Sequence, residues 1–143
     1  MFTEQARTEL EAAKPEWAVV AVMDAKTGEI LGVSSSPSFN NNTLEIKSYY
    51  DPFAANTYEP GSTMKIFSFA SAMEAGIYNG KEKYKSGKLK VDDATISDWN
   101  RYGWGKITYD EGFMGSSNVA ASKLALKLGR AKLIDYYHDL YLF

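Results

Sequence analysis

Residues 17–23 form an apolar run of strand length that is rich in valine. A turn-forming segment, residues 24–29, separates it from a second apolar run over residues 30–34. This pattern predicts a β-hairpin. Because a two-stranded ribbon is only marginally stable in water by itself, something else must complete the sheet. The chain is therefore predicted to be part of a larger domain.

Helical patterns occupy much of the remaining sequence. Residues 62–75 are apolar on more than one side, which is typical of a helix buried inside a domain, and Gly76 is its predicted C-terminal cap. Further helices are predicted over residues 2–14, 108–113 and 118–128, and over a last segment with Leu133, Ile134, Tyr137, Leu140 and Tyr141 at helical spacing. Residues 35–58 are predicted to form a surface loop, and the lysine-rich residues 78–90 a solvated connector.

The composition excludes several classes of function. The 143 residues include no cysteine, which excludes disulfides, thiol catalysis and cysteine–zinc sites. The 16 basic and 18 acidic residues give a net charge of −2, so nucleic-acid binding has little support. No segment has the roughly 20 apolar residues of a membrane span, and no signal-peptide pattern opens the chain. Asp92, Asp93 and Asp98 lack the ligand spacing of a calcium loop, so no metal site is expected.

An S-x-x-K tetrad, with Ser62 and Lys65 at its ends, directly follows Pro60-Gly61. In a helix that begins at Ser62, the two side chains share one face. A serine hydroxyl is a weak nucleophile until a neighbour takes its proton, and a desolvated lysine can be neutral enough to do so. The helix N-terminus favours negative charge on the serine oxygen. The alternative interpretation is a serine N-cap followed by a surface lysine.

A second polar cluster, Ser116-Ser117-Asn118, follows Gly115. The Ser116 hydroxyl is suited to relay a proton between Lys65 and a leaving group. The Asn118 amide is suited to orient Lys65 or a peptide carbonyl. The alternative interpretation is an N-cap cluster for the following helix, because Ser and Asn are preferred there.

In combination, the two motifs resemble those of the serine-type penicillin-recognising enzymes, which carry S-x-x-K, then S-x-N, then K-T-G in chain order. The first two occur here in that order, 51 positions apart, a spacing similar to that of the family. Residues 59–65, 103–105 and 115–120 resemble the matching segments of class B, monofunctional penicillin-binding proteins. The hairpin is similar to the strands that open their transpeptidase domain, so the resemblance covers nearly the whole chain.

The third motif is the one departure from the family pattern. Lys26-Thr27-Gly28 precedes Ser62 and lies in the predicted hairpin turn, so its order and its location both indicate a coincidence. Residues 1–143 are accordingly expected to be the N-terminal part of a transpeptidase domain. The K-T-G segment is expected after Phe143, and the isolated chain is expected to be inactive.

The resemblance implies an α/β (α+β) fold in which an antiparallel sheet is flanked by helices, here incomplete. It implies a peptidoglycan D,D-transpeptidase in which Ser62 attacks a D-Ala-D-Ala stem peptide and Lys65 is the base. β-Lactams would acylate the same serine, and the resulting acyl-enzyme would deacylate slowly. The resemblance implies no metal and no organic cofactor.

The remaining site residues are also implied by the resemblance. Ser116 and Asn118 would relay protons and position the substrate, and Ser117 and Trp99 would bind it. The alternative interpretation of Trp99 is an anchor of the core or of a loop, without a role in the cleft. The partners would be stem peptides, β-lactams and the remainder of the domain. The parent protein would be anchored in the cytoplasmic membrane, facing outward, with divisome or elongasome partners.

Two other functions remain open at this point. A serine β-lactamase or a β-lactam sensor domain uses similar motifs but hydrolyses or retains the acyl group. The segment over residues 115–120 and the polar residues 35–58 favour the synthetic enzyme. A catalytically silent fragment that serves as a structural module is the alternative from a different class, and the missing third motif supports it.

Overall fold

The computed structural model of the chain describes residues 12–37, 42–46, 49–140 and 142. The chain divides into two compact units, residues 1–59 and residues 60–143. The strands are β1 (Ala18–Met23), β2 (Ile30–Ser36), β3 (Lys83–Lys85), β4 (Lys88–Val91), β5 (Ala94–Ser97) and β6 (Lys106–Thr108). The α-helices that lie wholly within the described residues are α1 (Pro52–Ala55), α2 (Met64–Glu74), α3 (Tyr109–Met114), α4 (Asn118–Leu128) and α5 (Arg130–Asp139).

The predicted hairpin forms the centre of the first unit. Strands β1 and β2 pair antiparallel, from Ala18 opposite Ser36 to Met23 opposite Ile30. Asp24 closes the turn, because its carboxylate accepts the Lys26 and Thr27 N–H groups at 2.8 and 2.9 Å. The hydrogen bond from the Thr27 N–H lowers the pKa of Asp24 most, and the bond from the Lys26 N–H lowers it further. The Lys-Thr-Gly triplet is thus part of a hairpin turn, as predicted.

The predicted loop over residues 35–58 contains two regular pieces. Strand β2 extends to Ser36, and α1 forms one helical turn at Pro52–Ala55. The Asp51 carboxylate caps this turn by accepting the Phe53 N–H at 3.0 Å, and Pro52 suits the first helical position. The prediction of an unbroken loop was therefore wrong at residues 52–55.

Helices α2 and α4 form the core of the second unit. Its buried side chains include Phe69 and Ala72 from α2 and Val119 and Leu124 from α4. Burying apolar surface of this kind is the main source of folding free energy. Helix α2 is less enclosed than predicted, because several of its apolar side chains, such as Ile66 at 56%, remain exposed.

The end of α2 has the predicted glycine cap. Gly76 has a φ of +67°, a conformation that glycine adopts without a steric penalty. Its N–H donates to the Met73 carbonyl, and the Ile77 N–H donates to the Ala72 carbonyl. This pair of bonds is the Schellman motif, which satisfies carbonyl groups at the end of a helix.

The lysine-rich segment over residues 78–90 contains strands β3 and β4, so the prediction of a connector was wrong there. Strand β3 pairs antiparallel with β6, and β4 pairs antiparallel with β5. Lysines alternate with apolar residues along both strands, and this period of two exposes the lysines while Tyr84 and Leu89 face inward. The buried Tyr84 ring stacks on Tyr109 with a centroid distance of 4.9 Å.

The helices predicted near the C-terminus are confirmed, with α3 at Tyr109–Met114, α4 at Asn118–Leu128 and α5 at Arg130–Asp139. Thr108 and Glu111 form a capping box at the start of α3. Most of the helix predicted over residues 2–14 lies outside the described residues, as does Tyr141. None of the helices in the described part of the chain is long and apolar enough to cross a membrane.

Candidate active site

The first motif lies where a turn becomes a helix. Gly61, with a φ of +58°, begins a 3₁₀ turn over Gly61–Thr63 that leads directly into α2 at Met64. The predicted α-helical start at Ser62 is thus replaced by a tighter turn. Ser62 and Lys65 still share one face, and the Lys65 Nζ donates to the Ser62 Oγ at 3.1 Å.

The second motif meets the same lysine from the other side. The Lys65 Nζ donates to the Ser116 main-chain carbonyl at 2.6 Å and to the Ser116 Oγ at 3.0 Å. Ser116 has a φ of +53°, which is strained for a residue other than glycine. In this conformation both oxygen atoms of Ser116 lie within hydrogen-bonding distance of the ammonium group. The fold therefore brings Ser62, Lys65 and Ser116 together, although the two motifs are 51 positions apart.

The environment of Lys65 favours loss of its proton. Burial lowers the pKa of Lys65, and the negative charge of Asp98 opposes that change in part. A partly buried ammonium loses some hydration energy, which its hydrogen bonds must replace. The lysine is therefore closer to its neutral form than an exposed lysine would be, which is the property required of a base at Ser62.

Ser117 occupies a structural position. Its side chain is 0% exposed, its hydroxyl donates to the Asp98 carboxylate at 2.8 Å, and it accepts the Ala120 N–H at 3.0 Å. Ser117 is thus the N-cap of α4. These contacts hold Ser117 in the interior, and the substrate contact predicted for it stays a prediction.

Hydrogen bonds hold Asn118 and Trp99 in place beside Ser116. The Asn118 side-chain amide donates to the Ser97 carbonyl at 2.8 Å, which ties the first residue of α4 to the end of β5. The Trp99 Nε1 donates to the Gly115 carbonyl at 2.9 Å. The Trp99 ring contacts Trp104 edge-on and remains 70% exposed, so it presents an aromatic face next to Ser116.

Asp98 is a residue that the sequence did not identify as part of the site. It is 4% exposed, and its carboxylate accepts hydrogen bonds from the Gly87 N–H, the Ser117 hydroxyl and the Val119 N–H. No local pattern marks it, because those partners lie 11, 19 and 21 positions away. In the described part of the chain, no three His, Cys, Asp or Glu side chains are grouped to hold a metal ion.

The order of the two motifs around one lysine is that of the penicillin-recognising class of proteins. The Penicillin binding protein transpeptidase domain family matches residues 18–142. The chain belongs to this family.

Individual relatives support the same assignment. The chain is 37% identical over 134 residues to Stage V sporulation protein D of Bacillus subtilis, covering 87% of this chain and 20% of that protein. It is 33% identical over 132 residues to the Probable peptidoglycan D,D-transpeptidase PenA of Neisseria flavescens, covering 89% and 32%. It is 30% identical over 127 residues to the Peptidoglycan D,D-transpeptidase FtsI of Escherichia coli, covering 87% and 21%. These relatives are class B penicillin-binding proteins, which confirms the predicted class.

Solved structures confirm the fold. Penicillin Binding Protein 2X from Streptococcus thermophilus superposes with a TM-score of 0.81 and 35% identity, over 97% of this chain and 22% of that one. The D,D-transpeptidase domain of a peptidoglycan glycosyltransferase from Eggerthella lenta superposes with a TM-score of 0.72 and 29% identity, over 90% of this chain and 34% of that one. The mixed α/β architecture with antiparallel sheets is therefore as predicted. The chain spans only between a fifth and a third of the three curated relatives above.

Proposed function

We propose that the chain is the N-terminal part of a serine-type peptidoglycan D,D-transpeptidase domain, in which Ser62 forms the acyl-enzyme. One observation carries the proposal: the Lys65 Nζ lies 3.1 Å from the Ser62 hydroxyl and 3.0 Å from the Ser116 hydroxyl. One amine thus contacts both a nucleophile and a second hydroxyl that can pass a proton on. Membership of the transpeptidase family supports the same reaction.

The first half of the reaction follows from this geometry. Neutral Lys65 takes the proton of Ser62 as its oxygen attacks the carbonyl of the penultimate D-alanine of a stem peptide. The tetrahedral intermediate collapses, and the C–N bond to the terminal D-alanine breaks. The leaving amine receives a proton from the Lys65 ammonium through the Ser116 hydroxyl, and an ester to Ser62 remains.

The second half transfers the acyl group. An amine from a neighbouring stem peptide attacks the ester, gives up a proton, and displaces Ser62, which regains its own. Asn118 and Trp99 are the proposed contacts for the peptide. The amide of Asn118 is fixed by its bond to Ser97, and the exposed ring of Trp99 lies against Gly115.

β-Lactams are the second class of proposed ligands. Their strained amide would acylate Ser62 by the same steps, but the amine leaving group stays tethered to the acyl-enzyme. The adduct would therefore persist. The proposed partners of the whole protein are the remainder of its domain, which supplies the K-T-G segment, and the division or elongation machinery. The proposed location is the outer face of the cytoplasmic membrane, with an anchor elsewhere in the parent protein.

The test is intact-mass spectrometry after incubation with a fluorescent penicillin. It is applied to this chain and to the full-length protein that carries it. The expected result is one adduct on the full-length protein that maps to Ser62 and is lost in Ser62→Ala. The Ser34→Ala variant, which changes an exposed serine of β2, should keep the adduct.

The outcomes separate the proposed function from its alternatives. An adduct that is rapidly hydrolysed, with continued consumption of penicillin, would indicate a β-lactamase instead. A folded full-length protein that forms no adduct would overturn the enzyme proposal in favour of a silent structural module. An adduct on the isolated chain at the full-length rate would contradict the proposal that the site is incomplete without the remainder of the domain.

A further inference from the structure

Asp98 is a buried carboxylate for which the proposed reaction has no direct use. It follows β5 and is 4% exposed. A buried charge is costly unless hydrogen bonds compensate for the lost hydration. Here one carboxylate oxygen accepts the Gly87 N–H at 2.8 Å, and the other accepts the Ser117 hydroxyl at 2.8 Å and the Val119 N–H at 3.0 Å. The carboxylate therefore connects the residue before β4 to the N-terminus of α4.

The residue that precedes Ser117 is the one that holds Lys65. Ser116 keeps a φ of +53°, and a strained conformation persists only where its surroundings enforce it. The Ser116 N–H donates to the Phe113 carbonyl and the Ser117 N–H to the Gly112 carbonyl. The third restraint is the bond from the Ser117 hydroxyl to Asp98. Asp98 is thus one of the groups that fix the conformation of Ser116.

Asp98 also acts on Lys65 through its charge. Its carboxylate opposes the effect of burial and raises the pKa of Lys65, although burial is the larger influence. Besides Lys65 on α2, the charge of Asp98 acts on the Tyr84 phenol on β3. Burial raises the pKa of Tyr84, and the charge of Asp98 adds to that rise. Within the described residues, these interactions link the buried carboxylate to the amine that contacts Ser62.

We propose that Asp98 is a positioning residue with two effects on the site. Its carboxylate holds Ser117 so that both oxygen atoms of Ser116 stay at the Lys65 amine. Its negative charge stabilises the ammonium form of Lys65, which is created when the Ser62 proton is transferred. The second effect rests on the proposed function, whereas the first depends only on the contacts described above.

The decisive variant is Asp98→Asn, which keeps the shape of the side chain and an oxygen that can accept from Ser117, but removes the charge and places an amide N–H group where an oxygen accepted the Gly87 N–H. In the chain itself, the pH at which Lys65 titrates, followed by NMR of labelled lysine, should fall below that of the wild type. In the full-length protein, the rate of acylation by penicillin should fall by about tenfold or more. The matched control is Asp93→Asn, which removes the same charge from an exposed residue and should change neither quantity.

A second variant tests the hydrogen bond between Ser117 and Asp98 separately from the charge of Asp98. Ser117→Ala removes the bond to Asp98 but leaves the carboxylate and its charge in place, so acylation should slow. An unchanged Lys65 titration in folded Asp98→Asn would overturn the charge effect. An unchanged acylation rate in Ser117→Ala would overturn the positioning of Ser116 through Ser117. This test remains available if Asp98→Asn fails to fold.

The two proposals fail in different ways. If the wild-type full-length protein forms no adduct at Ser62, the proposed function fails, but the NMR titration still tests the effect of Asp98 on Lys65 because it needs no reaction. If the adduct forms and Asp98→Asn behaves like Asp93→Asn in both measurements, the inference about Asp98 fails and the proposed function stands.

Discussion

The side-chain nitrogen of Lys65 lies 2.6 Å from the main-chain carbonyl oxygen of Ser116. A carbonyl oxygen can only accept a hydrogen bond, so one N–H of Lys65 is committed to it in either protonation state. The remaining hydrogen-bonding positions of the amine face the hydroxyls of Ser62 and Ser116. When Lys65 is neutral, its lone pair can accept from one hydroxyl while its second N–H donates to the other. The carbonyl thus orients the amine between the two groups that exchange protons.

Lys65→Arg tests the need for a neutral amine at this position. A guanidinium stays protonated at all ordinary pH values, so it cannot take the proton of Ser62. Acylation of the full-length protein by penicillin should slow by about 10²-fold or more, as measured by stopped-flow with a fluorescent penicillin. Lys127→Arg, which changes a lysine paired with Glu82 on the surface, should react normally. An arginine variant that acylates at the wild-type rate would exclude Lys65 as the base.

The pH dependence of stability tests the burial of Lys65 without any reaction. Because its pKa is lowered from 10.5 in the fold, the unfolded chain binds more protons than the folded chain between the lowered value and 10.5. The free energy of unfolding should therefore rise with pH through that range. In urea titrations, the free energy of unfolding of Lys65→Met should rise less steeply over the same pH range. Equal slopes for the two proteins would show that Lys65 titrates as it does in the unfolded chain.

Tyrosines set the upper limit of that measurement. Burial, together with the Asp110 carboxylate that accepts from its hydroxyl, raises the pKa of Tyr78 to about 12. The folded chain then binds more protons than the unfolded chain above pH 10, so this group makes stability fall there. Lys65→Met retains Tyr78, so the difference between the wild type and the variant isolates the lysine.

The sequence was sufficient to predict the elements that local patterns encode. The valine-rich run and the turn before Ile30 predicted the hairpin, and the apolar spacing before Gly129 predicted α4. Strands β3 and β4 were missed because lysines dominate them. Their alternation with Tyr84 and Leu89 was the available signal, since lysines on an exposed sheet face suit a period of two.

The site was predictable only in part. The S-x-x-K spacing placed Ser62 and Lys65 on one face, because helical periodicity is a local property. The approach of Ser116 depended on resemblance to a family, and its left-handed conformation had no signal in the sequence. Asp98 was not predictable, because its role comes from partners just before β4 and at the start of α4 that only the tertiary fold brings to it.

The Glu111 carboxylate gives the second unit a sensitivity to acid. The Thr108 N–H and hydroxyl donate to it at 2.7 and 2.8 Å, and these bonds, the N–H first, lower the pKa of Glu111 below 4.5. A lowered carboxyl pKa contributes stability above 4.5 that is lost as the pH falls through the folded value. Glu111→Gln should therefore lose less stability between neutral pH and about pH 3 than the wild type. The measurement is the urea midpoint at both pH values.

The matched control for this comparison is Glu74→Gln, at the end of α2. It removes the same charge without touching the capping box, so its loss of stability in acid should equal that of the wild type. A Glu111→Gln variant that loses as much stability in acid as Glu74→Gln would contradict the proposed contribution of the cap.

Gly103 is a position at which the backbone itself limits substitution. A Cβ atom there would lie 2.9 Å from the Gly87 Cα, and the residue has a φ of +68°. Gly105 has a similar φ of +73°, but nothing lies within 4 Å of its Cβ position. Gly105→Ala should cost about 1–2 kcal/mol from the left-handed backbone alone. Gly103→Ala should cost a further 1–3 kcal/mol or so, because the added methyl group displaces a packed main chain.

The comparison of the two alanine variants isolates the close approach at Gly87, because both share the same backbone strain. Urea unfolding of each variant gives the two free energies. The Gly87 N–H donates to Asp98, so a displacement at Gly87 should also weaken the hold of Asp98 on the second motif. Gly103→Ala should then slow acylation of the full-length protein more than Gly105→Ala does. Equal destabilisation by the two variants would show that Gly87 yields to the methyl group without cost, and the predicted link from Gly103 to Asp98 would be wrong.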